Sequence, residues 1–143
     1  MPIGTYICIK GSFMSSTQFL QIALDLESVG LLWQPEIGDE VFGKQKPAET
    51  SASVLVDTGG MTPPELRTTY LWLPTVEQMV TQIEARQGIL LHAGLELSQN
   101  MYRYKTMIHS RDHSIEGEGL SLREAVGIGL RDLLMTMKGG GVH

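Results

Sequence analysis

The chain has little cysteine, few aromatic residues and little positive charge. Among its 143 residues there is one cysteine, and aromatic residues make up 6% of the chain. A single cysteine cannot form an intrachain disulfide, which excludes a fold held together by such bonds. Cys8 lies in the apolar run Tyr6-Ile7-Cys8-Ile9. We therefore expect its thiol to pack as a small hydrophobic group and not to act as a nucleophile.

Positive charge is scarce enough to limit the range of partners. Lys and Arg number 11 against 16 Asp and Glu, which gives a formal net charge of −5 at pH 7. Nucleic-acid binding largely replaces counterions by Lys and Arg, so this balance argues against strong nonspecific attraction to DNA or RNA. A local basic patch stays compatible with it.

Long apolar runs are missing as well. No run approaches the roughly 20 residues that a membrane-spanning helix needs. The first residues, Met1 to Thr5, lack the charged start and apolar core of a signal peptide. We therefore expect a cytoplasmic protein with no membrane contact.

The composition is that of a globular protein. Hydrophobic residues make up 42% of the chain and charged residues 19%, and the length is near that of a common single domain. We predict one α+β domain over residues 1–138, with about three helices packed on a mostly antiparallel sheet. Three consecutive glycines predict a flexible tail over 139–143.

Three helices are predicted from apolar residues at helical spacing, together with residues typical of helix ends. The predicted spans are 16–29, preceded by Ser15 or Ser16 and ended by Gly30; 76 to 86 or 87, started by a capping box of Thr75 and Gln78 and ended by Gly88; and 122–138, started by a capping box of Ser121 and Glu124. Gly129 lies on the packing side of the last helix, which predicts close contact with the sheet.

The remaining segments are interpreted as strands and loops. Strands are predicted over 3–9, 40–42 and 53–56, and an extended apolar segment over 68–73. The rest of residues 31–60 is punctuated by Pro and Gly, which indicates loops, and Gly59-Gly60 with Pro63-Pro64 predicts a turn. A polar loop is predicted over 111–119.

Residues 91–108 predict a β-hairpin with a two-residue turn at Gln99-Asn100. In that register Glu96 faces Arg103 and Leu91 faces Ile108. In this register one face is apolar and the other is polar. A one-residue slip would bury charge and expose leucine, which favours this register. The apolar face comprises Leu91, Ala93, Leu95, Leu97, Tyr102, Tyr104 and Ile108, and the polar face includes His92, Glu96, Arg103 and Lys105.

One short motif points to catalysis. Val54-Leu55-Val56-Asp57-Thr58-Gly59-Gly60 resembles the strand and Asp-Thr-Gly loop of retroviral-type aspartic proteases. In that family a homodimer brings two such aspartates together to share a proton, and the resemblance implies Asp57 as the catalytic residue. Asp-Thr-Gly-Gly is also an ordinary turn after a strand, because Asp bonds to its own backbone and Gly accepts unusual dihedral angles.

Two further clusters carry alternative interpretations. Arg103 and Lys105 could form a nucleic-acid surface, but alternation sends the neighbouring tyrosines to the opposite face, which favours a solvated sheet face. His109 and His113 could ligate a metal, but no further ligand is placed to complete a site, and Arg111 between them repels a cation. We expect no metal and no cofactor.

Two motifs carry a family resemblance. Leu71-Trp72-Leu73-Pro74-Thr75-Val76-Glu77-Gln78-Met79 and Glu116-Gly117-Glu118-Gly119-Leu120-Ser121-Leu122-Arg123-Glu124-Ala125 each lead into a helix. Their order and spacing resemble small phage and prophage proteins with an α/β/α-sandwich-like domain of unknown function. The second motif also resembles the ending of HicB-type antitoxins, which pair with a toxin. These resemblances imply a non-enzymatic accessory protein that works through protein contacts, including self-association; the alternatives are the Asp57 protease and a nucleic-acid or toxin-binding module.

Overall fold

Helices and antiparallel strands form an α+β fold, as the sequence predicts. The structure is a computed structural model and describes residues 19–44 and 52–140. Its elements in chain order are α1 (19–28 within this range), β1 (Glu40–Gly43), β2 (Ser53–Val54), α2 (Pro63–Thr69), β3 (Tyr70–Trp72), α3 (Val76–Ala85), β4 (Ile89–Ser98), β5 (Met101–Ser110), β6 (His113–Gly119) and α4 (Leu122–Gly140).

The strands form two sheets of three antiparallel strands each, in the orders β2-β1-β3 and β4-β5-β6. Helix α4 packs on the second sheet and against α3. The two sheets and the helices share one hydrophobic core. Side chains that are at most 1% exposed come from most of these elements and include Phe19, Val41, Leu66, Met79, Ile83, Ile108, Val126 and Leu130.

Three helix ends that the sequence predicts from local chemistry, the starts of α3 and α4 and the end of α1, lie at or within one residue of their predicted positions. Thr75 and Gln78 form a reciprocal capping box at the start of α3. At the start of α4 only one half of the predicted capping box forms: Ser121 Oγ accepts a hydrogen bond from the Glu124 backbone N–H over 3.1 Å, while the Glu124 carboxylate accepts from the Ser121 hydroxyl. Gly30 has φ +103° after α1, a left-handed conformation that glycine adopts without steric cost.

A short helix, α2, lies where the sequence predicts a turn and then an extended segment. The prediction of an extended chain over 68–73 is therefore wrong for its first two residues, and only β3 is extended. Thr62 and Glu65 form a reciprocal capping box, and Pro63 occupies the first helical position. Both are start signals that can be read from the sequence, because proline lacks only an N–H that would be unbonded there.

Strand β6 replaces the polar loop that is predicted over 111–119, so that prediction is wrong. The residues that face α4 are Ile115, Gly117 and Gly119, all buried, and the residues between them are exposed. Two of these three inward residues are glycines, so an apolar alternation is hard to see in the sequence. Arg111, with φ +54°, turns the chain from β5 into β6.

The hairpin register is confirmed near the turn and wrong at the far end. Glu96 pairs with Arg103 as predicted, and the turn residues Gln99 and Asn100 have positive φ angles. Between Leu90 and His92 the register shifts by one residue. Leu90 therefore faces Ile108 in place of Leu91, which stands at a β-bulge with 60% of its surface exposed.

Glycines let α4 approach its neighbours closely. A β-carbon on Gly117 would collide with the carbonyl oxygen of Ala125. On α4 itself, a β-carbon on Gly129 would lie 3.0 Å from Ile108 Cδ1, and one on Gly127 would lie 2.8 Å from a methyl group of Ile22. The close contact predicted for Gly129 with the sheet is confirmed.

Arg123, in the first turn of α4, joins parts of the chain that are distant in sequence. Its Nε donates to the carbonyl oxygen of Pro74 over 2.9 Å and its Nη2 to that of Leu73 over 2.6 Å. Nη2 also lies 2.8 Å from the carboxylate of Glu40, and the guanidinium carbon is 4.4 Å from the ring centroid of Phe19. One side chain thus links α4 to β1, to α1 and to the segment that precedes α3.

The end of α3 differs in detail from the prediction. Gln87, not Gly88, takes the left-handed conformation, with φ +64°. The backbone N–H groups of Gln87 and Gly88 donate to the carbonyl oxygens of Glu84 and Ile83. Gly88 is required for space, because a β-carbon there would lie 2.8 Å from Ile83 Cγ2.

Some predictions fall outside the described residues. These are the strand over 3–9 with Cys8 and the start of the first helix.

Helix α4 includes Gly139 and Gly140, so it extends two residues beyond its predicted end into the predicted tail. Within residues 19–44 and 52–140, no helix is both long enough and apolar enough to cross a membrane.

Candidate interaction surface

The turn end of the β4–β5 hairpin projects beyond the rest of its sheet. Strand β6 ends at Gly119, which pairs with Tyr104 on β5. We call residues 95–104 the arm. Four large apolar side chains on the arm are more than half exposed: Leu95 (53%), Leu97 (61%), Met101 (53%) and Tyr102 (66%).

One face of the arm continues the face of the sheet that α4 covers. Strand alternation places Leu95, Leu97 and Tyr102 on the same side as Thr106 and Ile108, which are 0% and 1% exposed beneath α4. Beyond Tyr104 this apolar face has no cover from the described part of the chain. Contiguous exposed apolar surface of this kind marks sites of protein contact.

Strand β4 is also an edge strand, since it pairs only with β5 among the described residues. In a hairpin with a two-residue turn, the residues flanking the turn exchange both backbone hydrogen bonds. Bonding to β5 therefore uses the backbone groups of Ser98, Glu96 and Gly94. The N–H and C=O groups of the odd-numbered residues 93, 95 and 97 point away from β5 and form a template for another strand.

The opposite face of the sheet carries ion pairs between β5 and β6. Arg103 Nε lies 3.3 Å from Glu118 and Lys105 Nζ lies 2.8 Å from Glu116. A hydrogen bond from Lys105 to the Glu116 carboxylate, reinforced by its charge, raises the pKa of Lys105. The structure thus brings Arg103 and Lys105 together on one face, as predicted, and places a carboxylate from β6 against each.

On β4, His92 and Glu96 lie on the same sheet face as Arg103 and Lys105. His92 Nε2 is 2.9 Å from Glu96 Oε2, an ion pair when His92 is protonated. The imidazole extends over Gly94, where a β-carbon would be 3.5 Å from His92 Cε1. The sequence pattern places His92 and Glu96 on this face, but their convergence over Gly94 was not predicted. The available signal is a glycine midway between a histidine and a glutamate on one strand.

Asp57, the residue implied by the protease resemblance, lies in an exposed loop after β2. Its Oδ1 accepts a hydrogen bond from the Gly59 backbone N–H over 2.6 Å. This is the local turn of the alternative interpretation, and Gly59 has the positive φ of +59° that such turns use. Asp57 comes after β2, a strand of the first sheet, whereas Arg103 and Lys105 are on β5 of the second sheet, so these candidate site residues do not belong to one sheet. The protease hypothesis stays a prediction.

The two histidines considered as metal ligands are separated by the fold. His109 pairs with Ser114 and His113 pairs with Ser110. Alternation then sends the two imidazoles to opposite faces of the sheet. Within the described ranges no group of three His, Cys, Asp or Glu residues could hold a metal ion.

A cavity of about 450 Å³ lies between α1, α2 and β3. Its two cationic side chains are already bonded: Lys44 Nζ donates to Glu27 and to the carbonyl oxygen of Arg67, and Arg67 Nε donates to the carbonyl oxygen of Trp33 over 2.6 Å. Trp72 forms part of the wall. The cations therefore hold loops and helices together at this position.

Comparison of the chain with protein-family models, with curated proteins and with solved structures finds no match. Function is therefore inferred from the geometry of the described residues.

Proposed function

We propose that the protein is a non-enzymatic accessory protein, of the phage or bacterial kind that its helix-leading motifs resemble, and that it works through protein contacts made by the arm. The single observation that carries this proposal is the exposure of Leu95, Leu97 and Tyr102 on one face of a projecting hairpin. An exposed apolar surface beside a free strand edge is costly in water unless a partner covers it.

The partner that the arm fits best is a second copy of this chain. Most soluble oligomers are homo-oligomers, and a twofold axis needs only one self-complementary surface. The arm and the adjoining residues 92–94 of β4 offer such a surface, because β4 has outward-pointing backbone groups and carries both an acidic and a basic side chain, Glu96 and His92. A toxin or another protein at the same site is the competing occupant.

Light scattering over a dilution series tests self-association. We expect a dimer that dissociates on dilution, and we expect the double variant Leu97→Ser/Tyr102→Ser to be monomeric at concentrations where the wild-type protein is dimeric. Both side chains are more than 60% exposed, so their replacement should leave the fold intact. Circular dichroism checks that point.

The matched control is Leu32→Ser/Val56→Ser, which removes two exposed apolar side chains, 53% and 77% exposed, at sites away from the arm. It should dimerise like the wild-type protein. A wild-type protein that stays monomeric throughout the dilution series contradicts the proposal. A dimer that both double variants weaken equally also contradicts it, because the arm would then have no special role.

A further inference from the structure

We propose that two copies of the chain join their β4 strands antiparallel about a twofold axis at Gly94, so that His92 of each copy faces Glu96 of the other. This inference rests on the proposed function and specifies its contact. This contact would join the β4-β5-β6 sheet of one copy to the same sheet of the other copy, which gives one sheet of six strands. Three features of β4 lead to it: the direction of its free backbone groups, its charge pattern and its glycine.

Backbone geometry limits the position of the axis. The outward-pointing groups belong to Ala93, Leu95 and Leu97, so these odd-numbered residues must face odd-numbered residues of the other copy. A twofold axis that passes between two residues would pair odd with even positions and is excluded. The axis must therefore pass through a residue.

Charge selects one of the remaining positions. An axis at Glu96 would place two carboxylates face to face, and an axis at His92 would place two imidazoles face to face. An axis at Ala93 or Leu95 leaves His92 and Glu96 without opposite charges. Only an axis at Gly94 places His92 against Glu96 of the other copy, and symmetry makes this favourable pair twice.

Gly94 suits the position on the axis. Gly94 would face Gly94 of the other copy in a pair without hydrogen bonds between the two residues, where the two α-carbons approach to about 4.5 Å. His92 and Glu96 already converge over Gly94 within one chain, with Nε2 and Oε2 2.9 Å apart. Two imidazoles and two carboxylates from the two chains would then alternate around the axis, above a point where no side chain intrudes.

The other face of the joined strands gains apolar contacts. In this register Ala93 faces Leu95 of the other copy, and this pair also occurs twice. Leu95 is 53% exposed in the single chain, so the contact removes apolar surface from water. At each end of the joined segment Leu97, which pairs with Tyr102 in its own chain, faces Leu91 of the other copy, and the bulge at Leu91 ends the regular pairing there.

Charge reversal in two separate variants tests this register. His92→Glu places a new carboxylate against Glu96 of the other copy, and Glu96→Lys places a new ammonium group against His92. Each variant alone should therefore dimerise on the order of tenfold more weakly than the wild-type protein. When the two variants are mixed, the new carboxylate faces the new ammonium group and the native Glu96 faces the native His92. The mixture should form a heterodimer with an affinity close to that of the wild type.

The mixture separates contact between chains from contact within a chain. Each variant keeps its unfavourable pair of side chains at positions 92 and 96 within the chain, so only pairing between copies can restore association. Native mass spectrometry on variants of distinguishable mass measures the heterodimer directly. If the wild-type protein dimerises but the mixture associates no better than each variant alone, this register is wrong while the proposed function stands.

A disulfide gives a second measurement. Gly94→Cys in a Cys8→Ser background should form a covalent dimer on mild oxidation, since an α-carbon separation of about 4.5 Å allows a disulfide. The control Ser98→Cys in the same background should not, because the two Ser98 residues would be about 27 Å apart. A covalent dimer of the Ser98→Cys variant but not of the Gly94→Cys variant overturns the proposed axis. A wild-type protein that is a monomer overturns the axis and the proposed function together.

Discussion

Gly117 on β6 faces Gly129 on α4 so closely that a β-carbon at position 117 would lie 2.7 Å from the Gly129 backbone nitrogen. Backbone atoms of a helix cannot move aside as the end of a side chain can. We therefore expect Gly117→Ala to lower the free energy of unfolding by about 2–3 kcal/mol. Urea denaturation measures this change.

The control for this substitution is Gly43→Ala on β1, where a β-carbon would have no neighbouring atom within 4 Å. Gly43→Ala should change the free energy of unfolding by less than about 1 kcal/mol. Equal effects of the two substitutions would show that close packing of β6 on α4 does not limit the residue at position 117.

Arg123 should contribute strongly to stability, because it donates to two backbone carbonyl oxygens and contacts the Glu40 carboxylate. Arg123→Ala leaves these acceptors without their charged donor, and we expect a loss of about 2–3 kcal/mol in the free energy of unfolding. Arg103→Ala, which removes one exposed ion pair with Glu118, should cost less than about 1 kcal/mol. Thermal and urea unfolding of both variants test the difference, and similar losses would contradict it.

Gln87 is a site where a single substitution should stabilise the protein. Its φ of +64° is unfavourable for any residue with a β-carbon, whereas glycine adopts it freely. Gln87→Gly should raise the free energy of unfolding by about 0.5–1 kcal/mol. Gln87→Ala keeps the β-carbon and should give no gain. If the alanine variant is as stable as the glycine variant, backbone strain is not the cause.

Glu65 should show a pH effect. The Thr62 backbone N–H and hydroxyl both bond to its carboxylate, at 3.1 and 2.9 Å, and they lower the pKa of Glu65, the backbone contribution being the larger. A carboxyl group with a lowered pKa in the folded state stabilises the fold above its ordinary pKa, and this contribution is lost as the pH falls through the folded-state pKa. An NMR titration of the Glu65 side chain should give a midpoint below that of an ordinary glutamate. In Thr62→Val, which keeps the backbone N–H, part of the shift should persist; a midpoint at the ordinary value in both proteins would contradict the capping geometry.

Arg103 and Lys105 should not support nucleic-acid binding. Glu118 and Glu116 lie against them, so replacing counterions on a phosphate backbone would first require breaking two ion pairs. We expect no measurable affinity for duplex DNA or RNA at physiological salt in fluorescence anisotropy. Affinity that falls steeply with salt, and that Arg103→Ala and Lys105→Ala reduce, would restore the nucleic-acid alternative.

The parts of the fold that the sequence predicts are those set by local chemistry. The capping box at Thr75 and the side-chain cap at Ser121 need residues only three positions apart, and the turn at Gln99-Asn100 needs two residues that tolerate positive φ. The parts that it misses depend on tertiary packing. Strand β6 is inconspicuous in the sequence because its inward residues include Gly117 and Gly119, and these positions are small only because α4 lies directly against them.

The candidate surface was predictable in part for the same reason. The alternation that places Glu96, Arg103 and Lys105 on one face depends on strand geometry alone, and the structure confirms it. The ion pairs with Glu116 and Glu118 depend on β6, so the hairpin pattern alone predicts a different acidic partner for Arg103, namely Glu96. The exposure of the arm depends on where α4 begins relative to β5, and no pattern within the hairpin encodes it.

The bulge at Leu91 divides β4 into a segment next to α3 and a segment that leads into the arm, each with its own alternation. Leu90 and Ala93 both lie on the core face although they are three positions apart, so the alternation restarts at the bulge. Leu90 can therefore face Ile108 while its neighbour Leu91 stands 60% exposed at the strand edge. Deletion of Leu91 would set Leu90 directly beside His92 and leave Leu90 opposite Ile108, so the core face and the arm would both keep their register and β4 would gain a regular edge along its whole length.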